Sequence, residues 1–317
     1  MLWLILPGAA VLLFLILFYC YRRAFYSPDP YQNSIFNMLE GEQYDTFAKT
    51  SGNLIRTFAA RPYERVYVTS HDGLRLSGRY YHCRDGAPLT IGFHGYRGTS
   101  GRDFCGSILP SMQLGFNVLL VDQRAHCESE GHTITFGVKE RFDCLTWIDY
   151  ANRRFGAEHP IVLQGGSMGG ATVLMASGLD LPNNVCAIVA DCPYNRPEDI
   201  IRQVCQREIP LPQQLVYPLI ALSARIFGGF RLSDGDAVAA VKKNRRPIFL
   251  VHGENDGMVP CYMSEEIRQA NPTLVERHTF PLADHGISYL WDTPRYEALL
   301  REFLQRHTDA WYQKNTH

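Results

Sequence analysis

A serine between glycines is the clearest chemical signal in the chain, in the stretch 164–170 with the sequence QGGSMGG. The apolar run at 160–163 predicts a strand before it, and the run at 171–176 predicts a buried helix after it. A strand that turns sharply into a helix needs residues without side chains around the turn. The hydroxyl of Ser167 then stands at the strand end, beside the free N–H groups of the helix. Ser167 is therefore a candidate nucleophile; the alternative is a serine that only caps the helix in a glycine-rich turn.

Two further polar residues follow later strands and suit a nucleophilic serine. Asp256 comes after the strand predicted at 247–251, and His285 comes after the strand predicted at 273–280. A serine hydroxyl is a poor nucleophile until a neighbouring base takes its proton. Histidine can take that proton near neutral pH and return it to the leaving group, while a carboxylate fixes the histidine tautomer. We therefore predict a triad of Ser167, Asp256 and His285.

Each of these residues has a structural alternative. Asp256 precedes a glycine and suits a turn, and His285 alone would be an ordinary loop histidine. Glu254 is a competing carboxylate two residues closer to the strand. Asp284 is another, although adjacent side chains rarely face each other. The joint occurrence of the three types at successive strand ends favours the triad.

An acyl-transfer site also needs two backbone N–H groups aimed at the developing oxyanion. One is expected from Met168, the residue after the nucleophile. The other is expected from the loop after the third strand, at 94–98 with the sequence HGYRG, where Tyr96 is our candidate. The alternative is a glycine-rich turn with a hydrogen-bonded His94. We expect His94 to brace the loop and not to catalyse.

Apolar strands alternate with helical patterns along the rest of the chain. Further predicted strands are 65–70 and 74–81, joined by a hairpin turn at 71–73, then 90–93, 117–122 and 185–191. The predicted helices are 103–114, 138–155, 260–270 and 293–307. Such alternation indicates a mostly parallel sheet covered by helices on both faces, with sites at the C-terminal ends of its strands.

The first part of the chain predicts a membrane anchor. Residues 2–21 carry no charge and are long enough to cross a bilayer core as one helix. A cleaved signal peptide is the alternative, but no lysine or arginine precedes the apolar run and no A-x-A site follows it. Arg22 and Arg23 follow at once, so the positive-inside rule places the remaining chain in the cytoplasm. The predicted organisation is an anchor at 1–23, a helical linker at 24–60 and a globular domain at 61–317.

Composition and cysteine usage argue against several classes of protein. The chain has 317 residues, 20% of them charged, and a net charge of −1, which argues against nucleic-acid binding. Its nine cysteines are odd in number and form no C-x-x-C pair. This pattern argues against a disulfide framework or a zinc site and fits a reducing compartment. We predict neither a metal nor a cofactor, and the sequence predicts no oligomeric state.

Five motifs together resemble the α/β-hydrolase superfamily, over residues 62–307, with the nearest similarity to bacterial cinnamoyl-esterase-like and prolyl-oligopeptidase-like serine hydrolases. They are HGxxG from His94, DQRAHxxSxG from Asp122, GGSMGG from Gly165, HGxxDxxVP from His252 and DHG from Asp284. In this superfamily the triad runs Ser, Asp, His along the chain. The resemblance implies the triad and oxyanion roles given above. Cys127 departs from the pattern, because family members usually have glycine there.

The predicted fold is the α/β-hydrolase fold, an eight-stranded, mostly parallel sheet flanked by helices, with a small helical cap and one N-terminal transmembrane helix. The cap is the insertion 194–245, which is longer than a simple connection and contains several prolines. The sequence leaves open whether its apolar residues line an acyl pocket or pack on the core. They are Leu215, Val216, Tyr217, Leu219, Ile220, Leu222, Ile226 and Phe227.

These features predict a serine hydrolase that cleaves a carboxylic ester through an acyl-enzyme. Ser167 attacks the acyl carbonyl, His285 acts as base and then as acid, and Asp256 orients His285. The alternatives are a serine peptidase of the prolyl-oligopeptidase type and a non-catalytic, membrane-attached binding module. Neither the acyl chain nor the alcohol of the substrate is predicted.

Overall fold

The computed structural model of the chain describes residues 2–28 and 41–315, with side chains from residue 8 onward. The part of the predicted linker at 29–40 lies outside the described residues. One eight-stranded sheet forms the centre of the described structure. Its strands are β1 Glu64–Thr69, β2 Arg75–Tyr81, β3 Leu89–Phe93, β4 Asn117–Val121, β5 Ile161–Gly166, β6 Val185–Asp191, β7 Ile248–Gly253 and β8 Val275–Phe280.

The sheet runs in the order β1-β2-β4-β3-β5-β6-β7-β8. The β1–β2 and β2–β4 pairs are antiparallel, and every other pair is parallel. All five residues of β3 and of β4 are buried, as in a parallel sheet covered on both faces. The strands and the first hairpin therefore follow the sequence prediction, and the carboxyl ends of the parallel strands meet at one edge.

Helices cover both faces of this sheet. They are α1 Leu2–Ala24, α2 Glu42–Ala59, α3 Ser100–Asp103, α4 Leu109–Gln113, α5 Glu140–Phe155, α6 Met168–Ala176, α7 Pro197–Glu208, α8 Gln213–Ser223, α9 Ala237–Lys243, α10 Tyr262–Ala270, α11 Ser288–Trp291 and α12 Thr293–Asn315. The largest fully buried side chain among the described residues is Trp147 of α5, which packs in the core on one face.

The single helix predicted at 103–114 is wrong, because two short helices, α3 and α4, occupy this region. Pro110 lies in the first turn of α4, where its missing N–H costs nothing but where it cannot continue a helix from α3. Gly106 lies between the two helices, and a Cβ added there would come within 2.3 Å of the Tyr289 ring. The close packing of Tyr289 therefore fixes the break.

The predicted cap at 194–245 contains α7, α8 and α9, with a π-helical turn at Ala224–Gly228 and a 3-10 turn at Leu232–Asp234. Its apolar residues divide between two faces. Tyr217 and Ile220 are buried in the core, whereas Leu215, Leu222 and Ile226 are exposed. The exposed three therefore neither line an enclosed pocket nor pack on the core.

The predicted N-terminal helix is observed as α1, which continues to Ala24. No single helix among the described residues is long and apolar enough to cross a membrane. One pair of helical segments meets that requirement of length and composition when the two are taken together: Gln213–Gly228 and Leu232–Lys243. The axes of the two segments are bent by 82° at the break between them. The anchor at 2–21 therefore stays a prediction.

Candidate active site

Ser167 occupies the sharp turn between β5 and α6. Its φ of 53° lies in the left-handed region, which is costly for a residue with a side chain. The turn is possible because Gly165 and Gly169 lie against backbone. A Cβ on Gly165 would lie 2.2 Å from the Gly169 carbonyl oxygen, and one on Gly169 would lie 1.8 Å from that of Phe93. The Ser167 N–H donates to the Asp191 carbonyl at 2.8 Å, which ties the turn to β6.

The structure brings Ser167, His285 and Asp256 together in one chain of hydrogen bonds. Ser167 Oγ lies 3.0 Å from His285 Nε2, and His285 Nδ1 lies 2.7 Å from Asp256 Oδ2. The Ser167 side chain is half-buried, while His285 and Asp256 are buried. This is the geometry in which a histidine can take a proton from a serine hydroxyl. Their catalytic roles stay predictions.

The two competing carboxylates lie elsewhere. Glu254 accepts a hydrogen bond from the Thr279 hydroxyl at 2.6 Å. Asp284 Oδ1 accepts from the backbone N–H groups of Gly257 and His285, at 2.9 and 2.7 Å. Asp284 therefore stabilises the loops that carry the triad, and Asp256 is the carboxylate paired with the His285 ring.

Burial and charge act in opposite directions on this pair. Burial by itself raises the pKa of Asp256, but the imidazoles of His285 and His252 hold it well below the ordinary range. Burial by itself lowers the pKa of His285, but Cys192 and the Asp256 carboxylate, which both face the ring, raise it above the ordinary value. Cys192 also faces His285. Burial raises the pKa of that thiol to about 11, so the thiol is neutral at pH 7 and Asp256 supplies the charge.

Both predicted oxyanion donors have backbone N–H groups without a partner among the described residues. Neither the Met168 N–H nor the Tyr96 N–H donates to any residue that the structure describes. Gly95, the neighbour of Tyr96, would place a Cβ only 3.4 Å from the Ser167 Cβ. The loop 94–98 therefore passes directly beside the nucleophile, and the oxyanion role of the two N–H groups stays a prediction.

Buried hydrogen bonds hold the loop 94–98 in place. Gln123 N–H donates to His94 Nε2 at 3.0 Å, so His94 Nδ1 carries the proton that it donates to the Gly95 carbonyl. Burial lowers the pKa of His94, which keeps the ring neutral in this bracing role. Arg97 N–H donates to His126 Nε2 at 3.0 Å. Cys127, which follows His126 in the sequence, has a φ of 48°. This left-handed conformation favours glycine, which explains why glycine would suit that position.

Two side chains at the site were missed by sequence reasoning. His252 Nε2 lies 3.2 Å from Asp256 Oδ2 and 2.8 Å from the Val259 carbonyl oxygen. Cys192 Sγ lies 3.9 Å from His285 Nε2. His252 is the second-last residue of β7 and Cys192 directly follows β6, both at the edge that carries the triad, so the strand-end rule contained the signal for each.

Comparison with known proteins fits this architecture. A family model described as the alpha/beta hydrolase fold matches residues 91–235. The chain has the α/β-hydrolase fold, as predicted. The chain is similar to the uncharacterized protein YqkD of Bacillus subtilis (strain 168), with 24% identity over 199 residues, which are 63% of this chain. The aligned part of the chain spans 65% of the length of that relative.

Solved structures share this α/β-hydrolase architecture at low sequence identity. The esterase Pf2001 of Pyrococcus furiosus is 21% identical, with a TM-score of 0.63 over 86% of this chain and 98% of its own. Est1E of Butyrivibrio proteoclasticus, solved with ferulic acid bound, is 19% identical, with a TM-score of 0.60 over 76% and 98%. Likeness at this level of identity establishes the fold.

Proposed function

We propose that this α/β-hydrolase is a serine hydrolase that cleaves a carboxylic ester through an acyl-enzyme. The observation that carries the proposal is the chain of hydrogen bonds from Ser167 to Asp256. In it Ser167 Oγ lies 3.0 Å from His285 Nε2, and His285 Nδ1 lies 2.7 Å from Asp256 Oδ2. The esterase Pf2001 is among the similar solved structures, which favours an ester over an amide.

Each group has one task in this mechanism. As Ser167 Oγ bonds to the acyl carbon, its proton passes to His285 Nε2, and the carbonyl oxygen becomes an oxyanion between the Met168 and Tyr96 N–H groups. His285 then gives the proton to the departing alcohol, which leaves an ester on Ser167. Water repeats the sequence with His285 as base and releases the acid. Asp256 keeps the proton on Nδ1 and stabilises the imidazolium.

Labelling with a fluorophosphonate probe tests the nucleophile. The probe should label the wild type and fail to label Ser167→Ala. Cys192→Ala is the matched control, because it removes the other nucleophilic atom beside His285 and should still be labelled. Wild type that stays unlabelled at high probe concentration would contradict catalysis and support a non-catalytic binding module.

The class of substrate needs a separate assay. p-Nitrophenyl esters of graded acyl length should be turned over, while proline-containing amides should not. Amide cleavage without ester turnover would replace the esterase proposal with a peptidase. The dependence of kcat/KM on acyl length measures how much of an acyl chain the site accepts.

We also propose that residues 2–21 anchor the chain as a single span, with the hydrolase domain on the cytoplasmic side. Exposed apolar side chains along α1 support this proposal, including Val11, Leu12 and Phe14 at 54–60% exposure. In intact cells that express the chain, external protease should leave the domain uncut. Digestion from outside would overturn the orientation, and recovery of the chain without membranes would overturn the anchor.

A further inference from the structure

Large apolar side chains that are exposed concentrate in two places among the described residues. Eight lie on α1 between Val11 and Tyr19, and four lie in the cap between Leu211 and Ile226, on α8 and the turns on either side of it, while the other five are scattered. Three of those four, Leu215, Leu222 and Ile226, form what we call the cap face. Their spacings of seven and four residues place them on one side of the helix.

The end of α1 is a fixed part of the domain. The Phe25 side chain is fully buried, with its ring centroid 5.8 Å from that of Phe136 and 5.3 Å from that of Phe230. The Tyr21 hydroxyl lies 2.7 Å from that of Thr133, and the Tyr96 hydroxyl donates to the α1 end at 2.9 Å. The direction in which α1 leaves the domain is therefore set by packing, and so is its position relative to the cap.

α1 packs against the cap over its second half. The Phe227 ring lies 5.5 Å from the rings of Phe14 and Phe18 and 5.7 Å from that of Tyr21. Phe14 and Tyr21 are about 10 Å apart along a helix axis at 1.5 Å per residue. If residues 2–21 of α1 cross a bilayer, the part of the cap that packs beside Phe14 to Tyr21 therefore lies at the depth of the bilayer over about 10 Å.

The charges that these two segments themselves carry suit an anionic lipid surface. The segments 2–28 and 209–230 contain no aspartate or glutamate. Their exposed charges are Arg22 and Arg23 at the end of α1, and Arg225 beside the cap face. Arginines on long side chains can reach the headgroups while neighbouring apolar groups enter the acyl region.

From these observations we propose that the cap face of Leu215, Leu222 and Ile226 inserts into the lipid bilayer beside α1. This inference rests on the proposed anchor at 2–21 and adds a second, separate membrane contact. The cap then lies in the headgroup and upper acyl region, as amphipathic helices do at membrane surfaces. The hydrolase domain thereby contacts the bilayer directly and is not attached to it through the anchor alone.

Quenching by lipids with brominated acyl chains tests the insertion in the full chain. The background is Trp3→Phe, which removes the tryptophan of the predicted anchor, reconstituted in phosphatidylcholine–phosphatidylglycerol vesicles. Leu222→Trp in this background should lose its added emission in brominated vesicles. Tyr67→Trp is the matched control on an exposed strand position away from the cap, and its added emission should persist. Ile226→Trp repeats the measurement at a second site of the cap face.

Flotation of the same vesicles separates the two proposals. Chains that float with the vesicles while the added tryptophans at 222 and 226 stay unquenched would overturn the insertion and leave the anchor standing. Chains that do not float would overturn both. Equal quenching at 67 and 222 would also overturn the insertion, because the cap face would then be no closer to lipid than the control strand.

Discussion

His252 and His285 share one oxygen of Asp256. His252 Nε2 lies 3.2 Å from Oδ2, and His285 Nδ1 lies 2.7 Å from the same atom. The other oxygen, Oδ1, accepts from the backbone N–H groups of Met258 and Val259 at 2.9 and 2.7 Å. The carboxylate therefore accepts three hydrogen bonds, and the His252 ring, which is bonded to the Val259 carbonyl, packs against it and contributes to its orientation toward His285.

His252→Phe should lower kcat/KM for an ester by about 2-fold to 10-fold, because it removes the hydrogen bond to the Val259 carbonyl and the polar contact with Asp256, together worth roughly 0.5–1.5 kcal/mol. The loss should fall on kcat and not on KM, because His252 acts through Asp256 and lies behind it. His252→Gln, which restores a side-chain N–H donor, should recover part of kcat. Equal kcat in the wild type and in both variants would show that His252 does not position the triad.

Asp256→Asn should change the pH profile as well as the rate. His285 is a base only when neutral, so activity is lost as pH falls through its pKa, and that pKa lies above 6.5 in the wild type because of Asp256. Removing the carboxylate should move the acid limb of kcat/KM to lower pH and reduce kcat by about 10⁴-fold. Asp284→Asn is the control, and an acid limb that moves there instead would contradict our assignment.

Gly169→Ala should prevent folding or destabilise the chain by more than about 4 kcal/mol, since the new Cβ would lie 1.8 Å from the Phe93 carbonyl oxygen. Gly166→Ala tests the same loop without the clash, because nothing lies within 4 Å of its added Cβ. Thermal unfolding of both variants measures the difference. Similar stabilities would show that the turn opens more easily than its packing implies.

Cys192 should resist alkylation in the folded chain. It is buried, and burial raises the pKa of its thiol to about 11, so little thiolate forms at neutral pH. Cys83 is exposed and serves as the internal comparison in a mass-spectrometric count of iodoacetamide adducts. Both should react after unfolding in denaturant. Rapid labelling of native Cys192 would show that the cap opens widely or that His285 activates the thiol.

The sheet and the predicted triad followed from local patterns, because buried parallel strands are continuous apolar runs and polar residues at their carboxyl ends share one edge. Ser167 and His285 are 118 positions apart in the sequence, yet the glycine-rich turn, the strand-end rule and the order of the three residues together placed both. The sequence favoured Asp256 over Glu254 through the motif that it shares with the superfamily, and packing shows which carboxylate turns inward, because Asp256 meets His285 while Glu254 accepts from Thr279.

Other features depend on contacts between distant segments that no local pattern records. The break between α3 and α4 is fixed by Tyr289 against Gly106. The Tyr44 hydroxyl donates to the backbone of His285 at 3.0 Å from a helix that the sequence could place only as a linker. The division of the cap into buried and exposed faces likewise depends on what α8 packs against.

The hydrogen bond from the Tyr96 hydroxyl to the Ala24 carbonyl has a practical consequence for producing the protein. A soluble version cannot begin at the globular domain predicted from residue 61, because the cut would remove Phe25 from the core and the acceptor from the loop beside Ser167. Leu17 and Tyr21 are buried as well. Solubility is better sought by replacing the exposed apolar side chains before Leu17 with polar ones, so that the last two turns of the helix stay in place.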